Sequence, residues 1–122
     1  MHRSGRGKEL LPAIVSAQYA VVFLSVPWSA PERVSRQAFL ESVADLSSTA
    51  AAPLLITLEV DGDSEAQSWL LQFDLQDLCT AGAGSLLWVA GGRVVSHVLN
   101  AGSLGSDGIL SHTEELWDGG AA

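Results

Sequence analysis

Ser29 and Glu32 have the residue types and spacing that come closest to a reactive site in this chain of 122 residues. They directly follow an apolar run, at a position where a strand would lead into a helix. A serine hydroxyl becomes a nucleophile only beside a base, and the candidates for that base are His97 and His112. The Gly-x-Ser-x-Gly motif that exposes the serine of many hydrolases is absent from the sequence. A hydrolase site is therefore not favoured, and we expect each histidine to be a surface or half-buried side chain.

Cys79 is the only cysteine in the sequence, so the chain cannot form an intramolecular disulfide. A single thiol could still form a mixed disulfide with a partner or with glutathione. Its neighbours Leu78 and Thr80 suit a half-buried position, and a helix that ends there would raise the pKa of the thiol. We therefore expect Cys79 to be inert. The use of a single cysteine is consistent with a reducing compartment, and we expect a cytoplasmic location.

The sequence predicts no metal site and no other cofactor. Its three histidines, one cysteine and scattered acids lack the spacing of metal ligands. The segment 61–65 contains part of a calcium-loop pattern but is more simply a turn followed by a helix cap. The glycines at 82–84 and 102–105 do not form a phosphate-binding signature.

The charge of the chain restricts its partners. Fourteen acidic and six basic residues give a formal net charge of −8, which repels phosphate backbones and anionic membranes. We therefore expect a protein or an extended peptide as the partner, and a monomer or a weak dimer. Arg3, Arg6 and Lys8 fall within residues 1–8, which are predicted to be a disordered basic tail. The apolar stretch after this tail resembles a signal peptide or anchor, but a helix followed by a strand is favoured.

The hydrophobic pattern predicts alternating helices and strands. Short apolar runs predict strands at 19–26, 54–60, 86–89 and 94–99. Helical spacing predicts helices at 9–18, 32–47, 64–73 and from residue 106 or 107 to 117. The first strands should be parallel because helices connect them, whereas the last two flank a Gly-Gly turn and should form a hairpin. In the helix at 32–47, Val34, Phe39, Val43 and Leu46 are predicted to face inward.

Two motifs within this order resemble the thioredoxin family. Residues 21–32 resemble the strand that ends in Trp-Cys-Gly-Pro-Cys, with Trp28 and Pro31 matching. Ser29, Ala30 and Glu32 replace the first cysteine, the glycine and the second cysteine. Residues 84–94 resemble the family's hairpin, in which Gly84 takes the place of the cis-proline. Phe23 takes the place of a buried acid in the first strand.

The resemblance implies an α/β fold over residues 9–118. We expect a thioredoxin-like three-layer sandwich, with a central mixed sheet of about four strands and helices on both faces. In such a fold His97 and His112 lie far from Ser29. Residues 119–122 are expected to be a flexible tail.

The replaced motif implies a redox-inactive domain, because dithiol exchange needs two thiols. Ser29 and Glu32 are expected to cap the following helix instead. A protein or peptide partner is expected at the surface formed by Trp28, Ser29, Ala30, Pro31, Ala83 and Gly84, in a chaperone, assembly or adaptor role.

Two further interpretations remain open at this point. One is a thioredoxin-family oxidoreductase or glutathione-linked enzyme with a degenerate site that uses Cys79 or Ser29. The other is a structural role, in which the strand at 94–99 pairs between subunits.

Overall fold

A mixed sheet of five strands forms the middle layer of the protein, whose computed structural model describes residues 2–117. The strands are β1 (His2–Arg6), β2 (Tyr19–Ser25), β3 (Leu54–Glu59), β4 (Leu86–Ala90) and β5 (Arg93–Val98). Their spatial order is β1-β3-β2-β4-β5. Strand β3 pairs in parallel with both β1 and β2, whereas β4 pairs antiparallel with both β2 and β5. The predicted α/β class and mixed sheet are confirmed, with one strand more than expected.

Helices cover both faces of this sheet. They are α1 (Gly7–Ser16), α2 (Glu32–Ser47), α3 (Ser64–Leu71), α4 (Leu78–Ala81) and α5 (Gly105–Trp117). Side chains of β2 alternate between two cores, because successive residues of a strand point to opposite faces. Val22 and Leu24 pack in the core that includes residues of α1 and α3, whereas Val21 and Phe23 pack in the core that includes residues of α2 and α5.

The prediction of a disordered tail at residues 1–8 is wrong for residues 2–8, because His2–Arg6 forms the edge strand β1 and Gly7 begins α1, and residue 1 lies outside the described residues. The ring of His2 hydrogen-bonds Thr57 Oγ1 at 2.7 Å, and the side chain of Arg6 donates to the carbonyl of Asp61 at 3.2 Å. An edge strand is held through its backbone and can be polar and charged, so its sequence carries no hydrophobic signature.

The apolar stretch that follows β1 divides into α1 and β2, as the favoured interpretation predicted. Within residues 2–117, no helix combines the length and the apolar composition that a membrane span requires. The predicted tail at 119–122 lies outside the described residues.

The buried side of α2 is more polar than predicted. Val34 was expected to face inward but is 66% exposed, whereas Glu32, Ser35 and Ser42 are buried. The Ser42 hydroxyl donates to the carbonyl of Phe39 at 2.6 Å, so a polar side chain is satisfied at an inward position. Polar side chains that have hydrogen-bond partners can occupy inward positions of a helix, so apolar spacing alone does not identify its buried side. Val34 accordingly lies outside the core.

Candidate functional site

The segment from Trp28 to Glu32 connects the end of β2 to the start of α2. The strand–helix junction predicted for this segment is therefore present. Trp28, Ala30 and Pro31 are exposed in it, whereas Ser29 and Glu32 are buried. The two positions that would carry cysteines in a dithiol motif thus point inward.

Ser29 does not cap α2, contrary to the prediction. The N-cap residue is Pro31, in a helical backbone conformation, and no side chain caps the helix. The Ser29 hydroxyl instead donates to the carbonyl of Gly82 at 2.5 Å. Its proton is therefore held by a carbonyl oxygen, which cannot act as the base that a serine nucleophile requires.

Glu32 also does not cap the helix, because its carboxylate pairs with Arg36 one turn later. Arg36 Nε and Nη2 donate to the two carboxylate oxygens at 2.9 and 3.0 Å. Arg36 Nη2 also donates to Ser25 Oγ at 2.7 Å. Glu32 is only 1% exposed, and a buried charge of this kind needs an opposite charge beside it.

The loop before β4 approaches α2 so closely that it requires glycine. Gly84 has a φ of +78°, and a Cβ added there would lie 2.3 Å from the Cβ of Ser35. Gly82 has a φ of +66°, and a Cβ there would lie 2.9 Å from Ser29 Oγ. Proline fits neither the backbone angle nor the space at residue 84. The family's cis-proline is thus replaced by a residue that allows closer contact with α2.

Ser35 joins this loop to the segment after β5, and the sequence analysis did not identify it. Its hydroxyl lies 2.7 Å from the carbonyl of Ala83 and 2.6 Å from Asn100 Oδ1. The backbone N–H of Gly102 donates to the Ser35 hydroxyl at 3.0 Å. The sequence held one indication that Ser35 would be buried: it lies on the same side of α2 as Phe39.

Trp28 and Val34 are exposed beside these loops. Trp28 is 67% exposed, and a Cβ at Gly82 would lie 3.9 Å from the Cη2 atom of its ring. A Cβ at Gly102 would lie 3.0 Å from Val34 Cγ1. We call the region formed by Trp28, Ala30, Val34, Ala83 and Gly102 the Trp28 surface. It contains Trp28, Ala30 and Ala83 of the predicted binding residues, together with Val34, which was predicted to lie in the core.

Cys79 lies in α4 and is 3% exposed, in the same core as Trp69 and Leu70. Burial raises the pKa of its thiol to about 11, and the charge of Asp63 acts in the same direction. The thiolate that would attack a disulfide is therefore scarce at neutral pH.

The two histidines considered as bases have other surroundings. His112 hydrogen-bonds Ser96 Oγ at 2.8 Å, and its ring and the Trp88 ring make a T-shaped contact with 4.4 Å between centroids. His97 is exposed on β5. Within residues 2–117, neither histidine hydrogen-bonds Ser29, and no group of three His, Cys, Asp or Glu residues could hold a metal ion.

Comparison with known proteins identifies the fold. No family model matches the chain, and no curated protein matches its sequence. Among solved structures, thioredoxin f2 of Chlamydomonas reinhardtii aligns with a TM-score of 0.64 over 96% of this chain and 97% of its own, at 10% identity. The chain has the thioredoxin fold.

Two further structures show the same fold. A mutant thioredoxin from Halobacterium salinarum NRC-1 aligns with a TM-score of 0.65 and 16% identity, over 93% of this chain and 88% of its own. The zinc-bound form of human ERp44 gives a TM-score of 0.69 and 11% identity, over 94% of this chain and 31% of its own. In this chain the thioredoxin fold carries serine and glutamate at the two motif positions.

Proposed function

We propose that this protein binds an extended segment of a partner protein at the Trp28 surface and exchanges no electrons with it. One contrast supports the proposal: Trp28 is 67% exposed, whereas Ser29 beside it is 5% exposed and bonded to Gly82. Disulfide exchange needs one thiolate to attack and a second thiol to release the mixed disulfide. Ser29 and Glu32 supply neither, but an exposed tryptophan remains available for contact.

The loop beside Trp28 offers a hydrogen-bond donor to a partner, the N–H group of Ala83. Its carbonyl groups already accept hydrogen bonds within the protein. Those of Gly82, Ala83 and Gly84 accept from the Ser29 hydroxyl, the Ser35 hydroxyl and the Ala101 N–H, respectively. Within the described part of the chain, the N–H group of Ala83 donates to no residue, and Ala83 is half-buried, whereas Gly84 is buried. An extended peptide presents carbonyl oxygens that such a donor can bind, while its side chains pack on Trp28 and Val34.

A protein with these properties would act as an adaptor or in assembly, holding part of another protein without modifying it. The net charge of −8 favours protein partners over nucleic acid or anionic lipid. We propose this role in the cytoplasm.

Binding to an array of immobilised synthetic peptides tests the proposal. Wild type should bind a subset of the peptides equally well with and without reductant. Trp28→Ala should weaken binding to that subset about tenfold, since aromatic anchors carry much of the energy at such surfaces. Leu71→Ala, which truncates a side chain 59% exposed on α3, is the matched control and should bind as wild type does. Binding that ignores Trp28→Ala, or that disappears with reductant, would contradict the proposal.

The enzyme interpretation is tested separately by the reduction of insulin disulfides, with and without glutathione. Wild type and Cys79→Ser should both give the uncatalysed rate. A higher rate in the wild type alone would assign the activity to Cys79 and would overturn the redox-inactive role.

A further inference from the structure

The turn that leads from β3 to α3 contains an aspartate followed by a glycine. Asp61 and Gly62 are both exposed, and a Cβ added at Gly62 would meet nothing within 4 Å. Within residues 2–117, the N–H group of Gly62 donates to no residue. An aspartyl carboxyl group can react with the peptide nitrogen that follows it when that nitrogen is unshielded, and glycine hinders the attack least because it has no side chain. The turn therefore has the features of a site of spontaneous modification.

The fold protects two other aspartates that have similar neighbours in the sequence. Asp107 also precedes a glycine, but it lies inside α5, where ring closure would require the helical backbone angles to change. Asp63 is buried, and its carboxylate accepts three backbone N–H groups. A further Asp-Gly pair, at 118–119, lies outside the described residues. Among the Asp-Gly pairs that the structure describes, the pair at Asp61 is thus the one outside a helix.

The side chain of Arg6 lies at the oxygen that this reaction would convert into a carboxylate. Arg6 Nη2 donates to the backbone carbonyl of Asp61 at 3.2 Å. In an isoaspartyl residue the main chain runs through the side-chain carboxyl group, so the former backbone carbonyl becomes a free carboxylate. A guanidinium donates a stronger hydrogen bond to a carboxylate than to a neutral carbonyl. Arg6 therefore favours the isoaspartyl form at this position.

We propose that Asp61 is converted to isoaspartate in the folded protein. The Gly62 nitrogen attacks the side-chain carboxyl carbon of Asp61, the N–H proton and the carboxyl hydroxyl leave as water, and a five-membered succinimide forms. Water then opens this ring. Its addition to the side-chain carbon restores aspartate, whereas its addition to the main-chain carbon gives isoaspartate, whose carboxylate lies at Arg6. The product is a substrate for methyltransferases that transfer a methyl group from S-adenosylmethionine to isoaspartyl carboxylates.

The modification lengthens the backbone by one atom inside a tight turn. Across this turn the N–H group of Asp63 donates to the carbonyl of Val60 at 3.1 Å. The carboxylate of Asp63 also accepts N–H groups at the starts of α1 and α3. An added backbone atom between residues 60 and 63 displaces these partners from one another. Isoaspartate at Asp61 should therefore lower the stability of the fold.

Prolonged incubation of the purified protein at neutral pH, followed by proteolysis after glutamate, tests the proposal. This cleavage places Asp61, Asp107 and the pair at 118–119 in three different peptides. Methylation with radioactive S-adenosylmethionine by an isoaspartyl methyltransferase measures the isoaspartate in each peptide. It should accumulate in the peptide 60–65 and not in the peptide that contains Asp107. In urea both peptides should accumulate it at similar rates, because α5 is then absent.

Two pairs of variants test the roles of Gly62 and Arg6. Gly62→Ala should lower the yield of isoaspartate about tenfold, because the new methyl group crowds the attacking nitrogen. Gly91→Ala is the matched control and should react as wild type does, since Gly91 also has a positive φ and open space around it. Arg6→Gln should lower the yield about twofold, because a neutral donor stabilises the new carboxylate less. Arg3→Gln makes the same change elsewhere on β1 and should not lower it.

Three results would overturn the proposal. The first is a folded protein whose peptide 60–65 gains no isoaspartate, and the second is equal accumulation at Asp107, which would show that the fold does not select the site. The third is isoaspartate at Asp63 in place of Asp61, which fragmentation of the peptide by electron transfer distinguishes. Modified molecules separated by ion exchange should unfold at a lower urea concentration than unmodified ones, and equal midpoints would contradict the predicted effect on the turn.

Discussion

Gly84 determines how closely the loop before β4 can approach α2. Its φ of +78° strains any residue other than glycine, and a Cβ added there would lie 2.3 Å from the Cβ of Ser35. Both effects disfavour a larger residue at this position. Gly62 separates these two effects, since its φ is +68° but an added Cβ would meet nothing within 4 Å. The two glycines therefore distinguish backbone strain from close approach.

Gly84→Ala should lower the free energy of unfolding by about 3–4 kcal/mol, because the new methyl group must displace Ser35 as well as adopt a strained backbone. Gly62→Ala should cost only about 1 kcal/mol, the cost of the backbone angle alone. Urea denaturation of the three proteins measures the difference. Equal losses in the two variants would show that the Ser35 contact relaxes freely.

The Cys79 thiol should react slowly in the folded protein. With a pKa of about 11, roughly one molecule in a thousand carries the thiolate at pH 8. Labelling with Ellman's reagent at that pH should be slow in buffer and fast in urea, where burial no longer raises the pKa. Fast labelling of the native protein would contradict the burial of this side chain.

At the scale of elements, Asp63 connects two helices that are distant in sequence. Its carboxylate accepts the N–H of Gly7, at the start of α1, at 2.7 Å. It also accepts the N–H groups of Glu65 and Ala66, at the start of α3, at 3.1 and 3.2 Å. One side chain thus binds N–H groups at the starts of both α1 and α3, and it fixes the position of α1 relative to α3.

This double cap should make stability depend on pH. Burial alone would raise the pKa of Asp63, but hydrogen bonds from Gly7 and Ala66 and the charge of Arg6 lower it below its usual value. A carboxyl group with a lowered pKa stabilises the fold fully above its unfolded pKa of about 4, and this contribution disappears as pH falls through the folded value.

Asp63→Ala should therefore lower the free energy of unfolding by about 2–3 kcal/mol at pH 7. The difference from wild type should shrink as the pH falls below about 4. Urea denaturation across this pH range measures the change. Asp61→Ala, at an exposed position whose carbonyl still accepts from Arg6, is the control and should leave the stability nearly unchanged.

The sequence predicted those elements whose signal is local. The helix at Glu32–Ser47 and a helix cap within residues 61–65 follow from apolar spacing and from the polar residues of that turn, and both are present in the structure, where Asp63 provides the cap. Strand β1 could not be predicted, because its stability comes from pairing with β3 and not from its own side chains. The roles of Ser29 and Ser35 depend on carbonyl groups some fifty residues away, which no local pattern contains.

At the scale of the whole molecule, the excess of fourteen acids over six basic residues keeps copies apart at neutral pH. Static light scattering at pH 7 should give the mass of a monomer or of a weak, concentration-dependent dimer. Scattering should rise near pH 4.5, the isoelectric point of the sequence, where protonation of carboxylates brings the net charge to about zero. A stable dimer at pH 7 at all concentrations would contradict this, and would point to pairing along the exposed edge of β5.

The Glu32–Arg36 pair has a consequence for attempts to engineer electron transfer into this scaffold. Introducing Ser29→Cys and Glu32→Cys together would remove the carboxylate that neutralises Arg36. The guanidinium would then remain without a counter-ion beside the buried Ser25 hydroxyl, to which it donates a hydrogen bond. It would also remove the hydroxyl that holds the Gly82 carbonyl. A working dithiol would thus demand compensating changes at Arg36 and in the glycine loop, so two sulfur atoms alone would not restore the chemistry.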